Sequence, residues 1–197
     1  MRGYHLIVVA VLVAGLVLLT GCAGSMRPTS FLNPGFDFSF VERVAVLPFD
    51  NLTNDRQAGF RATRLMITEL LATGAVDVVE PGEVRAALAK LPGGGQQRRA
   101  KIPSTEEIVS LGKDLRVQAV ILGTVTQAES LRSGGVMIPV ITLDVHMVEA
   151  ETGATVWAAT HTEKGGGVSS RVLGTGGQPM SEITRRCVKR LVEELVR

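Results

Sequence analysis

Residues Val140 to Glu149 alternate in character: Ile141, Leu143, Val145 and Met147 are apolar, while Thr142, Asp144 and His146 are polar. Successive side chains of a strand point to opposite faces, so this decamer predicts a strand with one face buried and the other open. Glu151, Thr152 and Gly153 follow as a tight turn, and Thr155 to Glu163, carrying Trp157, pairs back as a hairpin strand. Upstream, Ala119 to Gln127 is apolar first and then alternates through Val120, Leu122 and Thr124, which adds another strand. An apolar sheet face of this size has to be covered, and the cover must come from the other segments of the chain.

Those segments carry helical spacing. Val44 to Phe49 reads as a buried first strand, with Pro48 better placed at its end than in its centre. Asp50, Asn51, Thr53, Asn54 and Asp55 make a turn that can cap a helix over Gln57 to Thr73. That helix has an apolar stripe of Phe60, Met66, Ile67, Leu70 and Leu71, with Arg61, Arg64 and Glu69 near its other faces and Gly74 as its stop. Val76 to Val79 is a short second strand, and Pro81 opens a helix through Val84, Ala87, Leu88 and Leu91. Pro92 to Pro103, with Gly93, Gly94, Gly95, Arg98, Arg99 and Lys101, breaks the pattern as a loop. Ser104 and Glu107 fit a capping box for a third helix with Ile108, Leu111 and Leu115 on its core side. Gly165 to Gly177 is a second glycine-rich loop. In the final helix, Ser181 to Arg197, Ile183, Cys187, Val188, Leu191, Val192 and Leu195 face inward and Arg185, Arg186, Lys189 and Glu193 outward. The order β-α-β-α-α-β-β-β-α describes an α/β fold: a single α/β sandwich around one mixed sheet.

The N-terminus decides where such a domain resides. Arg2 supplies charge, Leu6 to Leu19 is an unbroken run of apolar or small residues, and Leu19-Thr-Gly-Cys22 closes it. Fourteen helical residues reach about 21 Å, short of a hydrocarbon core about 30 Å thick, so a signal peptide is expected rather than a permanent span. The closing tetrapeptide looks like a lipobox: cleavage falls between Gly21 and Cys22, and the Cys22 thiol takes a diacylglycerol as thioether. Stable anchoring needs two or more acyl chains. Residues 1–21 are then the signal, 22–40 a lipidated tether and 41–197 the folded periplasmic domain. Ala23, where an aspartate would retain a lipoprotein in the inner membrane, favours the outer membrane, with the inner membrane as the alternative. Within the tether, Phe36, Phe38 and Phe40 alternate with Asp37 and Ser39 at strand period, so part of it is expected to pack on the domain or on a neighbouring subunit.

Removing residues 1–21 from 197 leaves 176, enough for one ordinary core, and loses only Arg2 among the Lys and Arg residues, so net charge falls from +2 to +1. A near-neutral chain with 4% aromatic residues gives no basis for nucleic-acid binding. With Cys22 lipidated, Cys187 has no intramolecular partner and is a buried thiol or an intermolecular one; its place on the final helix favours burial. His146 and His161 lie on either side of the hairpin turn and are expected to face each other, with Asp144 and Glu163 nearby. A metal site needs three or four convergent ligands, so no metal is expected. Gly174-Thr-Gly-Gly177 leads into a helix but lacks the following Lys-Ser or Lys-Thr of a phosphate loop, and the serines have no Gly-x-Ser-x-Gly setting. No catalytic residue, cofactor or cofactor-binding residue is assigned.

The segments Val44-Ala-Val-Leu-Pro-Phe-Asp-Asn51, Ala119-Val-Ile-Leu-Gly-Thr-Val-Thr126 and Val145-His-Met-Val-Glu-Ala-Glu-Thr-Gly-Ala-Thr-Val-Trp157 resemble, in order and spacing, the CsgG-like family of curli-secretion lipoproteins, with the TolB N-terminal domain and LpoB as related folds. The resemblance covers 41–197. It implies an outer-membrane lipoprotein, and for the secretion channel itself an oligomeric pore to which each subunit gives two transmembrane hairpins. The gaps available here, Glu129 to Pro139 and Lys164 to Gln178, are too short or too glycine-rich for two strands of 9 to 11 residues each. The pore therefore does not carry over. The first expectation is a non-catalytic, membrane-anchored component that binds protein partners in envelope assembly or secretion, with the two loops as contact surfaces. The alternative is a ring-forming homo-oligomeric subunit of an export apparatus. An enzyme rests only on the histidine pair.

Overall fold

The structure, a computed structural model, describes residues 27–92, 103–133, 136–166 and 178–197. The signal peptide, Gly21 and Cys22, most of the Pro92 to Pro103 loop and most of the Gly165 to Gly177 loop lie outside the described residues.

One mixed sheet of seven strands organises the domain: β1 (Thr29–Leu32), β2 (Arg43–Val46), β3 (Asp50–Asn51), β4 (Asp77–Val78), β5 (Ala119–Ser133), β6 (Val136–Glu149) and β7 (Thr155–Lys164). Four helices accompany it: α1 (Ala58–Thr73), α2 (Pro81–Lys90), α3 (Thr105–Leu115) and α4 (Met180–Leu195). The strand order is β1-β7-β6-β5-β2-β4, with β3 continuing β2's place against β5. β2 runs parallel to β4 and β5, while β5, β6, β7 and β1 are antiparallel in turn. The expected α/β sandwich with its mixed sheet is thus present, with β1 and β3 added to the expected order.

Helices α1 and α4 pack together on one face. Val46, Ile121, Val125, Ile141, Leu143, Val145, Met147 and Trp157 of the sheet meet Met66, Leu70, Ile183, Cys187, Val188 and Leu191 there. Helices α2 and α3 cover the other face, but only near β2, β4 and β5, through Ala45, Leu47, Val79, Val84, Val120, Leu111 and Val148. Farther out on that face Thr142, Asp144, His146, Ala158 and Thr162 are half-buried and Thr160 is exposed.

The helix ends follow local chemistry. Pro81 starts α2, where a missing N–H costs nothing. Ser104 and Glu107 form the expected capping box: Ser104 N–H donates to Glu107 Oε2 at 2.9 Å, and Glu107 N–H to Ser104 Oγ at 3.4 Å. Gly74 closes α1 at φ 65°, the left-handed region a glycine enters without strain.

Four expectations are corrected. The inner stripe of α1 is Ala58, Gly59, Ala62, Met66 and Leu70, while Phe60 (61% exposed) and Leu71 (53%) point outward. The small residues are needed because the helix approaches the sheet closely: a Cβ on Gly59 would lie 2.6 Å from the Phe49 carbonyl oxygen. Within the gap read at Glu129 to Pro139, the residues up to Ser133 and from Val136 are instead strand, since the register runs on through Ser130↔Pro139, Leu131↔Ile138 and Arg132↔Met137 to Ser133↔Val136. A ladder needs backbone partners, not apolar side chains, and β5 and β6 supply each other's. The alternating phenylalanines do not form a strand. Asp37 Oδ1 accepts from Ser39 N–H at 2.9 Å, and Phe38–Phe40 is a 3-10 turn. The Phe36 ring then sits 4.7 Å from Phe38 and 5.0 Å from Phe40, with Phe36 and Phe38 packed on the core. The tether segment that does pair is Thr29–Leu32, against Trp157 to Thr160 of β7. Finally, Arg186 is half-buried and turned to the sheet, not outward.

Candidate binding cleft

A cleft of about 810 Å³ opens where the second helical layer stops. Its floor is the β2–β3 link Leu47 to Asp50, Leu122 to Thr124 of β5, and Asp144, His146 and Val148 of β6; Arg85, Leu88 and Ala89 of α2 and Pro103, Thr105 and Ile108 at the start of α3 form its wall. The volume lies within the range of small-molecule and peptide-segment sites.

Two of the sequence motifs build this floor together. A Cβ on Gly123 would lie 2.4 Å from the Phe49 ring, so the glycine in Ile121-Leu-Gly-Thr124 exists to admit the phenylalanine of Leu47-Pro-Phe-Asp50. Phe49 N–H donates to Thr63 Oγ1 at 2.9 Å, tying the link to α1. With the ring turned inward, Asp50 and Asn51 pair with Thr124 and Val125 as β3. The turn beyond is self-satisfied: Asn51 Nδ2 donates to the Asp55 carbonyl at 2.7 Å, and Asn51 Oδ1 accepts from Thr53 N–H at 3.0 Å. Asp55 accepts from Gln57 N–H at 3.0 Å and pairs with Arg61, whose guanidinium is the main cause holding its carboxyl below the usual range.

The cleft's polar side chains are Asp50, Arg85, Thr105, Thr124, Asp144, His146 and Thr155 among apolar walls. Burial pushes the Asp50 carboxyl above its ordinary value. His146 Nε2 lies 3.5 Å from Asp144 Oδ1, which also accepts from the Thr160 hydroxyl at 3.0 Å. The arrangement can hold a partner's segment, its apolar side chains against Leu88, Ile108 and Leu122 and its polar groups against the two carboxylates and Arg85.

The structure separates the two histidines. His146 sits opposite Ala158 and His161 opposite Leu143, which puts them on different faces of the sheet, each with its own acid. His161, 3% exposed, meets Glu163 Oε2 at 3.1 Å. Glu163 also receives Arg186 at 3.3 Å and Arg190 at 3.5 Å, joining β7 to α4. Burial lowers the His161 pKa, with the Glu163 carboxylate opposing it. Cys187 is buried with its sulfur 3.5 Å from the His161 carbonyl oxygen, and burial pushes its thiol pKa far up. Among the described residues no group of three or more His, Cys, Asp or Glu is placed to hold a metal. The sequence reading missed Asp50 and Arg85 as cleft residues and missed the ion cluster. The signal for the cluster was present, in Arg186 and Arg190 one helical turn apart beside Cys187.

No family model matches the chain, and no curated protein is detectably related in sequence. Solved structures do match. PelC from Paraburkholderia phytofirmans, described as a dodecamer, superposes at a TM-score of 0.58 with 18% identity over 86% of this chain and 96% of that one. The lipoprotein GNA1162 from Neisseria meningitidis gives 0.53 and 12% over 79% and 98%. The fold is shared. The C-terminal domain of LpoB from Salmonella enterica is a looser match, at 0.47 and 18% over 66% and 86%.

Proposed function

We propose that this protein is a lipid-anchored, non-catalytic component of the bacterial cell envelope that binds protein partners during envelope assembly or secretion, facing the periplasm from the outer membrane. The cleft between the sheet and helices α2 and α3 carries the reading, because it joins apolar walls to a few convergent polar groups on a rigid floor. The sequence of Leu19 to Cys22 supports the anchor, and the fold shared with the lipoprotein GNA1162 is in keeping with it. A photo-crosslinking residue at Arg85 on the cleft rim tests the reading in cells. A discrete product is expected that weakens when Thr124→Trp fills the cleft, with Thr68 on the far side of α1 as the control position. An unchanged product pattern in the folded Thr124→Trp variant would count against the cleft.

A second reading, a ring-forming subunit of an export apparatus related to the curli-secretion family, is favoured by the fold shared with the PelC dodecamer and by the apolar Phe60 and Leu71 exposed on α1. Light scattering of the lipidated protein in mild detergent separates the two: a single mass many times the subunit supports the ring, and a monomer mass removes it.

A further inference from the structure

We infer that the cleft takes its partner segment by one arginine or lysine side chain, seated over Thr124 between the carboxylates of Asp50 and Asp144. The inference rests on the reading of the cleft as the partner-binding site. Strand register builds the seat. Asp50 pairs with Thr124 across β3 and β5, and Thr124 pairs with Asp144 across β5 and β6. Side chains of paired residues stand on the same face of a sheet, and all three residues line the cleft. Neighbouring strands lie about 4.8 Å apart, so the two aspartates flank Thr124 with Cα atoms about 10 Å from each other. A cation above Thr124 is then within reach of a carboxylate on either side.

The seat holds acceptors that lack a donor. Burial pushes the Asp50 carboxyl above its ordinary value, and among the described residues no cation pairs with it and no donor bonds to it. A half-buried carboxylate in this state carries a desolvation cost that an incoming cation offsets. Thr124 Oγ1 likewise makes no hydrogen bond among the described residues. Asp144 Oδ1 accepts from the Thr160 hydroxyl at 3.0 Å and is approached by His146 Nε2 at 3.5 Å, which leaves Oδ2 for a ligand.

The charges around the seat select a cation. Asp50 and Asp144 lie on the floor of the cleft, while Arg85 is exposed on its wall. Arg85 Nε donates to the Pro81 carbonyl at 3.4 Å, and among the described residues its guanidinium pairs with neither aspartate. An anionic group at the floor would meet two carboxylates, and an apolar one would leave Asp50 desolvated and unpaired. A guanidinium suits best, because its planar fork offers five donors, enough for both carboxylates and the Thr124 hydroxyl. Leu122, on the same face one step along β5, and Leu88 and Ile108 of the wall receive the methylenes of the basic side chain and the apolar residues next to it.

The test uses the full chain purified from membranes in mild detergent. Random short peptides displayed on phage are selected on it, and those that also bind the Thr124→Trp variant are removed, which leaves binders of the cleft. These are expected to share one arginine or lysine among apolar residues. A synthetic copy of one such peptide is compared with the same peptide carrying citrulline for arginine, or acetyl-lysine for lysine, which removes the charge and keeps the apolar stem. The charged peptide is expected to bind the parent on the order of tenfold more tightly, and this comparison needs no variant of the protein. Asp50→Asn with Asp144→Asn is expected to abolish the difference. Cleft binders without a shared basic residue, an uncharged peptide that binds the parent as tightly, or a preference that persists in the folded double variant overturns the inference and leaves the cleft standing as a partner site. A selection that yields no binder lost on Thr124→Trp overturns the cleft reading, and the inference with it.

Discussion

Replacing Gly123 by alanine puts a methyl group where the Phe49 ring lies. The new Cβ would be 2.4 to 2.5 Å from three ring atoms, and Phe49 is only 6% exposed, so the ring cannot swing into solvent. Gly123 has no positive φ, and on backbone grounds alone Gly→Ala would stabilise by about 0.4–1 kcal/mol through the unfolded chain. Forcing an extra carbon into a packed core costs about 1–3 kcal/mol, so overpacking prevails and the net loss is about 1–2 kcal/mol. For a domain of this size that lowers Tm by about 2–8 °C. Thermal unfolding followed by circular dichroism measures it. In a Phe49→Leu background the loss should shrink or change sign, since contacting pairs couple by about 0.5–3 kcal/mol. A Gly123→Ala variant that melts higher than the parent, or that loses the same amount in both backgrounds, would refute the account of why these two motifs occur together.

Other parts of the account lead to separate expectations. Ser104→Ala removes half of the capping box of α3 and should cost about 1 kcal/mol, read as a Tm drop of about 2–4 °C. His161 has a folded pKa below its ordinary value because it is buried, so the unfolded chain takes up the proton first. Stability is thus complete above about pH 6.5 and falls as pH drops through it, and His161→Gln should flatten the change in urea midpoint between about pH 7.5 and 5.5. Glu163 and Arg190 act on this histidine in opposite directions, and Arg186 pairs with Glu163, so the three set how large the fall is. Phe60→Ser with Leu71→Ser removes exposed side chains and should change stability by no more than about 0.5 kcal/mol each. If the ring reading holds, the same pair lowers the mass measured by light scattering to that of fewer subunits.

The sequence made the sheet legible through Ile141, Leu143, Val145 and Met147, because strand alternation depends only on which face is buried. It made α3 legible through Ser104 and Glu107, whose chemistry is local. It failed at Phe60 and Leu71, where a helical stripe drawn from large apolar residues overlooked Ala58, Gly59 and Ala62, the residues that let α1 touch the sheet. It failed at Glu129 to Pro139, where the shortness of the gap and Gly134 and Gly135 argued against strands, although β5 and β6 pair there through their backbones. The histidine pair was misplaced because turn proximity does not fix register: with a shift between Met147 and Val148, His146 and His161 fall on opposite faces. The cleft was invisible for a related reason. Asp50, Arg85 and His146 come from three elements brought together by the parallel crossover that places β2 beside β5, and no local pattern announces such a meeting.

The intact mass of the protein extracted from bacterial membranes tests the central claim most directly. The account predicts a chain beginning at Cys22 with a diacylglycerol attached, lost from the membrane fraction in the Cys22→Ser variant. A chain that retains residues 1–21, or one cleaved elsewhere and carrying no lipid, would contradict it.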